Sequence, residues 1–326
     1  MRFDLAPLAG FTDAPFRTLA CAGGADRAYT EMVSAAGLRY GSSPTEHLLE
    51  TMEGEGPVVC QLFGATEEDL AAGTAVVEQR LSARAQKRVV ALNLNAGCPM
   101  TKVTRCGAGA ALVKDPAKIG RLVKAMVENT SLSVTVKTRL GPHPQCDTVF
   151  EIADAAAAAG AKELVVHARY TSEMHGGPVH LEKLAELVRR SPIPVIGNGS
   201  VVDRKSAAAM AATGVQGLMV GRAALANPAV FAHLKGMAAP DFVDSAAVCR
   251  RHLELILAFR RQLAANFPDD HIPSEDAFAS VKMHVHLFRY FSGRPGAAAL
   301  RARLNSVRTL AEIREIIASA YTVRVN

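Results

Sequence analysis

No CxxC pair occurs anywhere in the chain, and its six cysteines (Cys21, Cys60, Cys98, Cys106, Cys146 and Cys249) are scattered over 326 residues. That distribution excludes a zinc knuckle and gives no disulfide framework, so no metal is expected and most thiols read as small buried hydrophobes. No run of 18 uninterrupted apolar residues is present, which argues against a membrane span. The opening "MRFDLAPLAG" enters a strand-like run without a secretory leader, so a cytoplasmic protein is expected. A glycine-rich GxGxxG turn after the first strand is also missing, which disfavours a doubly wound dinucleotide fold.

Hydrophobic residues make up 49% of the chain and charged ones 21%, enough apolar surface for a large core. The formal charge of +6 is unevenly placed. Residues 242–326 hold 12 Lys+Arg against 8 Asp+Glu, and residues 1–241 hold 25 against 23. An excess of cations in the last quarter points to a polyanionic partner, although an ordinary solvated face would look the same.

Eight short apolar runs recur: "FDLAPL" (3–8), "AYTEMV" (28–33), "PVVCQL" (57–62), "VVALNL" (89–94), "LSVTVK" (132–137), "ELVVHA" (163–168), "IPVIGN" (193–198) and "VQGLMV" (215–220). Helical stretches lie between most of them. Thr66 precedes acids in a first turn, Asp115-Pro116 supplies a cap with proline behind it, and Asp203 heads a helix closed by Gly214. Eight buried strands alternating with helices predict a (β/α)8 barrel. Beyond Pro240 the pattern turns wholly helical, predicting a barrel over 1–240 and a small helical bundle over 241–326. In the tail, Ser274 caps a helix whose Phe278, Val281, Val285 and Phe288 predict a buried stripe. Lys282, His286 and Arg289 then share a second face, read as either solvated or phosphate-tracking. Thr309 and Glu312 form a capping box.

Barrels of this kind work at the C-terminal ends of their strands. Those ends carry Gln61, Asn95, Cys98, Lys137, Arg139, His167, Arg169, Asn198 and Gly221-Arg222. A single polar residue there is only the start of a loop; their joint presence predicts a ligand site over the mouth. "IGNGS" and "VGRAA" are glycine-bearing turns feeding helices, suited to a phosphate, with Arg222 adding a charge-assisted bond. Lys137 on an apolar strand needs an acceptor, either within a ligand or in a barrel salt bridge. Cys98 stands apart from the other thiols: it follows a buried strand, precedes Pro99, and opens onto the glycine-bearing, basic stretch "TKVTRCGAGA".

The segment "LNLNAGCPMTKVTRCGAGAALVKDP" resembles the active-site segment of the tRNA-dihydrouridine synthases, flavoproteins that reduce uridine in tRNA. "APLAGFTDAPFR", "VVCQLFG", "VTVKTRLG", "ELVVHAR", "IPVIGNGS", "LMVGRAALANP" and the tail segment "FRYFSGRPGAAALRARLN" follow the family in order. The resemblance implies a flavin-binding barrel followed by a helical RNA-binding domain, with FMN tightly bound, NADPH as reductant, tRNA as substrate, and a monomer. It implies that Pro7, Leu8 and Ala9 line the flavin, that Gln61 and Lys137 bond to its ring edge, and that His167 touches it. Asn198, Gly199, Ser200, Gly221 and Arg222 would hold the phosphate, and Cys98 would be the proton donor. Asn95 is expected at the substrate, with Lys102, Arg105, Lys282 and Arg289 on tRNA phosphates. Three positions depart from the family pattern, Asn93, Ala168 and Tyr170, and "GPHPQC" lacks a tryptophan common after strand five. Two other readings compete: a flavin barrel acting on a free pyrimidine, and a non-catalytic RNA-binding protein on an inactive barrel.

Overall fold

The computed structural model describes residues 1–83, 88–238, 245–292 and 297–319. Eight parallel strands, β1 (Arg2–Leu5), β2 (Arg27–Ser34), β3 (Val58–Phe63), β4 (Val89–Ala96), β5 (Ser133–Arg139), β6 (Leu164–His167), β7 (Val195–Asn198) and β8 (Gly217–Val220), close in sequence order. β8 pairs back onto β1 over Arg2↔Gly217 to Leu5↔Val220. All eight predicted strands are present, and the (β/α)8 barrel is the fold. The strands read as uniformly apolar because both faces are covered. Ala6, Tyr29, Val59, Ala91, Val165, Ile196 and Met219 fill the interior, while a larger core separates strands from the helical ring.

The caps expected from sequence form. Asp115 accepts from the Lys118 amide at the head of Pro116–Val127, and Asp203 accepts from the Ser206 amide at the head of Arg204–Ala211. Gly214 takes φ +88° just past that helix. Thr309 and Glu312 exchange the reciprocal bonds of a capping box.

After β8 the described chain contains helices only, including Ser245–Asn266, Glu275–Tyr290, Ala297–Ser306 and Leu310–Ser319. These share a core of their own built on Ile256, Met283, Leu287 and Ile313. The expected boundary at 240/241 lies outside the described residues. A separate apolar patch, Ala14, Leu19, Met52, Leu255, Phe259 and Leu263, seals the tail to the barrel beside the helix Ala14–Ala22.

One expectation about the tail fails. Val281 is 71% exposed, so the stripe predicted through Phe278, Val281, Val285 and Phe288 is not the buried one. The buried line runs through Ala279, Met283, His286, Leu287 and Tyr290. The helix Glu275–Tyr290 is covered on two sides, by the tail core and by the barrel. The side toward the barrel is polar, with His286 stacked on Phe16 at 4.9 Å, so apolar periodicity marked the wrong line.

Candidate active site

Parallel strands deliver their C-terminal residues to one rim, and a chain of side-chain hydrogen bonds runs along it. Thr135 Oγ1 donates to the Leu92 carbonyl (3.1 Å) and accepts from Asn93 Nδ2 (2.8 Å). Gln61 Nε2 donates to Asn93 Oδ1 (2.7 Å), and Asn95 Nδ2 donates to Gln61 Oε1 (2.8 Å). Asn95 Oδ1 then accepts the backbone amides of Gly97 (3.1 Å) and Cys98 (3.0 Å). The barrel interior is thereby coupled, bond by bond, to the backbone that carries the Cys98 thiol. Every buried amide in this chain is satisfied by its neighbour, which fixes the orientation of each.

Two more contacts hold the cysteine loop. Arg139, buried at the end of β5, donates to the Gly97 carbonyl (2.8 Å) and the Tyr170 carbonyl (3.0 Å). Gly109 at φ +59° lies so close to Cys98 that a Cβ there would fall 2.6 Å from the Cys98 carbonyl oxygen. Only glycine fits that backbone and that gap. Cys98 itself is half-buried, whereas Cys106 is exposed with its thiol 3.6 Å from the Lys102 carbonyl.

Across the mouth, Lys137 Nζ lies 3.2 Å from Asn198 Oδ1, and Asn198 Nδ2 donates to the Met219 carbonyl (2.8 Å). His167 follows on β6, with Arg169 Nη1 3.1 Å from its Nε2. Arg169 also donates to Ser200 Oγ (2.8 Å) and the Gly177 carbonyl (2.5 Å). The turn after β7 has Gly199 at φ +132° and Ser200 at φ +51°, and Gly199 packs against the His167 ring. Gly221 borders Leu8, bringing the loops after β8 and β1 together, and Arg222 reaches the His175 carbonyl at 3.4 Å.

This rim is cationic. Burial, then Arg139, pulls the Lys137 ammonium down to about 7 even though Cys98 works the other way. Burial likewise pulls Arg139 down to about 10. Burial, then Lys137 and the two arginines, pushes His167 far below its ordinary value, so its imidazole is neutral. Arg169 is lowered by burial and by facing Arg222. Glu173 offsets part of this on Arg139 and Arg169, and an anionic ligand would relieve the rest.

Pro7, Leu8, Ala9, Gln61, Asn95, Cys98, Lys137, His167, Asn198, Gly199, Ser200, Gly221 and Arg222 thus stand on the rim or its loops. Lys102 and Arg105 are exposed on the loop after β4, beside Cys98. Arg289 is exposed, its guanidinium 5.7 Å from the Phe11 ring on the loop after β1. Lys282 departs from expectation: it does not join an outward basic strip but pairs with Asp13 at 3.1 Å in the seam between tail and barrel. The buried Asp13 carboxylate draws it inward.

Asn93 does structural work at the rim that site reasoning did not assign, and Arg139 and Arg169, read from sequence as polar strand ends without a role of their own, hold the neighbouring loops. The signal for Arg139 was its spacing: two residues past Lys137 on a strand, it projects to the same side. Asn93 and Tyr170 were visible only as departures. Tyr170 is buried, hydrogen-bonded through its hydroxyl to Asp147, and set edge-on to His180 at 5.1 Å.

The sequence matches the family described as "Dihydrouridine synthase (Dus)" over residues 4–326. It is 28% identical over 97% of its length to the "Probable tRNA-dihydrouridine synthase" of Treponema pallidum (strain Nichols), covering 92% of that protein. It is 30% identical to "tRNA-dihydrouridine synthase B" of Pseudomonas putida, covering 93% of this chain and 86% of the relative. A "Probable tRNA-dihydrouridine synthase" of Mycobacterium tuberculosis (strain ATCC 25618 / H37Rv) is 31% identical over 95% of this chain and 79% of its own. Among the described residues no helix is long and apolar enough to cross a membrane.

Proposed function

Because the chain belongs to the dihydrouridine synthase family, we propose that it reduces the 5,6-double bond of a uridine in tRNA, using FMN bound at the barrel mouth and NADPH as reductant. The observation that carries this reading is the hydrogen-bonded chain from Gln61 through Asn95 to Cys98, set beside a crowd of cations with no carboxylate paired to Lys137 among the described residues.

The rim suits FMN. Asn198, the positive-φ turn Gly199–Ser200, Gly221, Arg222 and Arg169 would offer donors to its phosphate, and the crowding of Arg169 and Arg222 gives an anion something to neutralise. Gln61 and Lys137 would meet the ring edge and His167 would touch the ring, with Pro7, Leu8 and Ala9 lining it. When bound and reduced, FMN supplies the hydride that adds to carbon 6 of the uracil.

The chain's own residues do the rest. Cys98 gives the proton to carbon 5 from the side opposite the flavin, and its thiolate is reprotonated from solvent. A thiol is mostly protonated near neutral pH, which suits an acid. Asn95 and Arg139 hold the loop that presents it, and Asn95 lies within reach of the substrate. A uracil stacked in folded RNA cannot enter a barrel mouth, so the nucleotide is turned out. Lys102, Arg105 and Arg289 would bind the surrounding phosphates, and residues 241–326 would act as the tRNA-binding domain beside a catalytic domain of 1–240.

The test is dihydrouridine formation by the purified protein with NADPH, comparing unmodified tRNA with free uridine. Product in tRNA alone, from a yellow protein, supports the proposal. Turnover of free uridine alone would favour a pyrimidine reductase, and a colourless protein that binds tRNA would favour the non-catalytic reading.

A further inference from the structure

Away from the barrel mouth, three side chains from three helices converge where tail meets barrel. Asp13 caps the helix Ala14–Ala22, His252 lies on Ser245–Asn266, and His286 lies on Glu275–Tyr290. All three are buried, and one ligand-capable atom of each falls within 4.8 Å of the other two. Both ring nitrogens of His286 and Nε2 of His252 are buried with no hydrogen-bond partner. A neutral imidazole keeps one N–H and one lone pair, and leaving either unmet in the interior is costly. The apolar neighbours of His286, Phe16 and Phe11, offer it ring faces and edges only.

We propose that Asp13, His252 and His286 form a divalent transition-metal site that ties the tail to the barrel. Two imidazoles and a carboxylate suit zinc, with a fourth position left for water. The outer contacts are those a metal site uses. Tyr290 Oη lies 2.9 Å from His252 Nδ1, which fixes that ring with Nε2 facing inward. Asp13 is oriented by the Phe16 amide (3.2 Å) and by Lys282 (3.1 Å). Bonds of about 2.0–2.1 Å to a tetrahedral ion bring its ligand atoms to roughly 3.4 Å apart. The present spacing, within 4.8 Å, must contract by that margin when an ion binds. A cavity of about 180 Å³, lined in part by Asp13, Glu31 and Lys282, adjoins the site and gives a water ligand room.

Lys282 sets the limit on affinity. Its ammonium shares the Asp13 carboxylate and repels a dication, so removing that charge must tighten binding. Glu31 opposes it from β2, and Arg17 adds a further positive charge nearby.

The experiment is calorimetric titration of the chelator-treated full-length protein with Zn²⁺, alongside thermal unfolding and the visible spectrum of a Co²⁺-loaded sample. One Zn²⁺ per chain, a melting temperature that rises with zinc, and a cobalt spectrum free of thiolate bands are expected. His286→Gln and His252→Gln should weaken binding by about tenfold or more. Lys282→Met, which removes no ligand, should bind zinc severalfold more tightly. No saturable binding by wild type, thiolate bands, or unaltered affinity in a folded histidine variant would overturn the site. Should both histidine variants fail to fold, unaltered or weaker affinity in Lys282→Met overturns it on its own.

Discussion

The Lys137 ammonium has an amide oxygen, Asn198 Oδ1 at 3.2 Å, as its partner where a buried cation usually meets a carboxylate. With no carboxylate paired to Lys137 among the described residues, little offsets the burial and the neighbouring Arg139 that loosen its proton, and an anion at the rim would do so. Burial, followed by Arg139, lowers the folded-state value to about 7, against 10.5 for an unperturbed lysine.

The sign of the consequence follows. Between about 7 and about 10.5 the unfolded chain keeps a proton on Lys137 that the folded chain has released. Stability contributed by this site therefore rises with pH across that window and is lowest below it. In flavin-free protein, the urea midpoint of wild type minus that of Lys137→Met should climb from pH 7 to pH 10. A flat difference would mean that the ammonium has another partner.

Cys98→Ala should keep bound flavin and its reduction by NADPH while dihydrouridine formation drops by about 10²–10⁴-fold, the usual span for a lost general acid. Cys106→Ala should be nearly silent, because that thiol is exposed and reaches the Lys102 carbonyl at 3.6 Å. Equal inactivation of both would remove the acid role from Cys98. The measurement is single-turnover product formation with prereduced protein.

The barrel was legible because parallel strands buried on both faces leave short apolar runs that only that architecture stacks eight times. The rim was legible for the same reason, since every strand end in "LNLN", "TVKTR" and "VVHAR" projects to one side. Asn93 was not, because its work lies in partners on neighbouring strands, Gln61 and Thr135, which spacing along one strand cannot reveal. The tail was misread where polar residues are buried against the barrel: periodicity finds apolar faces, and His286 and Lys282 turn inward on a polar one.

Asn93→Ala should cost about 1–3 kcal/mol, because Gln61 Nε2 and the Thr135 hydroxyl each lose a buried partner. Slack should pass through Asn95 to the Cys98 backbone, so the rate of uracil protonation should fall more than tRNA affinity. Urea unfolding and a separation of turnover from KM check the two halves. A variant as stable and active as wild type would show that the chain from Thr135 to Cys98 is not coupled.

Arg169→Ala should weaken flavin retention about as much as Arg222→Ala. A charge-assisted phosphate bond is worth about 1.5–3 kcal/mol, or roughly ten- to hundredfold in affinity. Arg169 also holds Ser200 at 2.8 Å in its left-handed conformation, so its loss relaxes the turn as well as the charge. Flavin occupancy after dialysis is the readout. Full occupancy in both variants would move the phosphate away from the turns after β7 and β8.

Two cations on one helix, Lys282 and Arg289, should separate cleanly. Lys282→Met strands the buried Asp13 carboxylate, and breaking such a pair costs about 3 kcal/mol. Its effect should therefore appear in thermal unfolding, with the salt dependence of tRNA binding left alone. Arg289 is exposed above Phe11 at the edge of the mouth, free to meet a phosphate. Arg289→Ala should leave stability within about 0.5 kcal/mol and flatten the plot of log affinity against log salt by about one unit. Lys102→Ala and Arg105→Ala, exposed beside the cysteine loop, should each do the same. If Lys282→Met flattened the slope as Arg289→Ala does, the lysine would have to leave Asp13 when tRNA binds, and the seam would open in the complex. A slope unmoved by Arg289→Ala would instead take that end of the helix out of the RNA path, leaving the loop after β4 as the phosphate-binding edge.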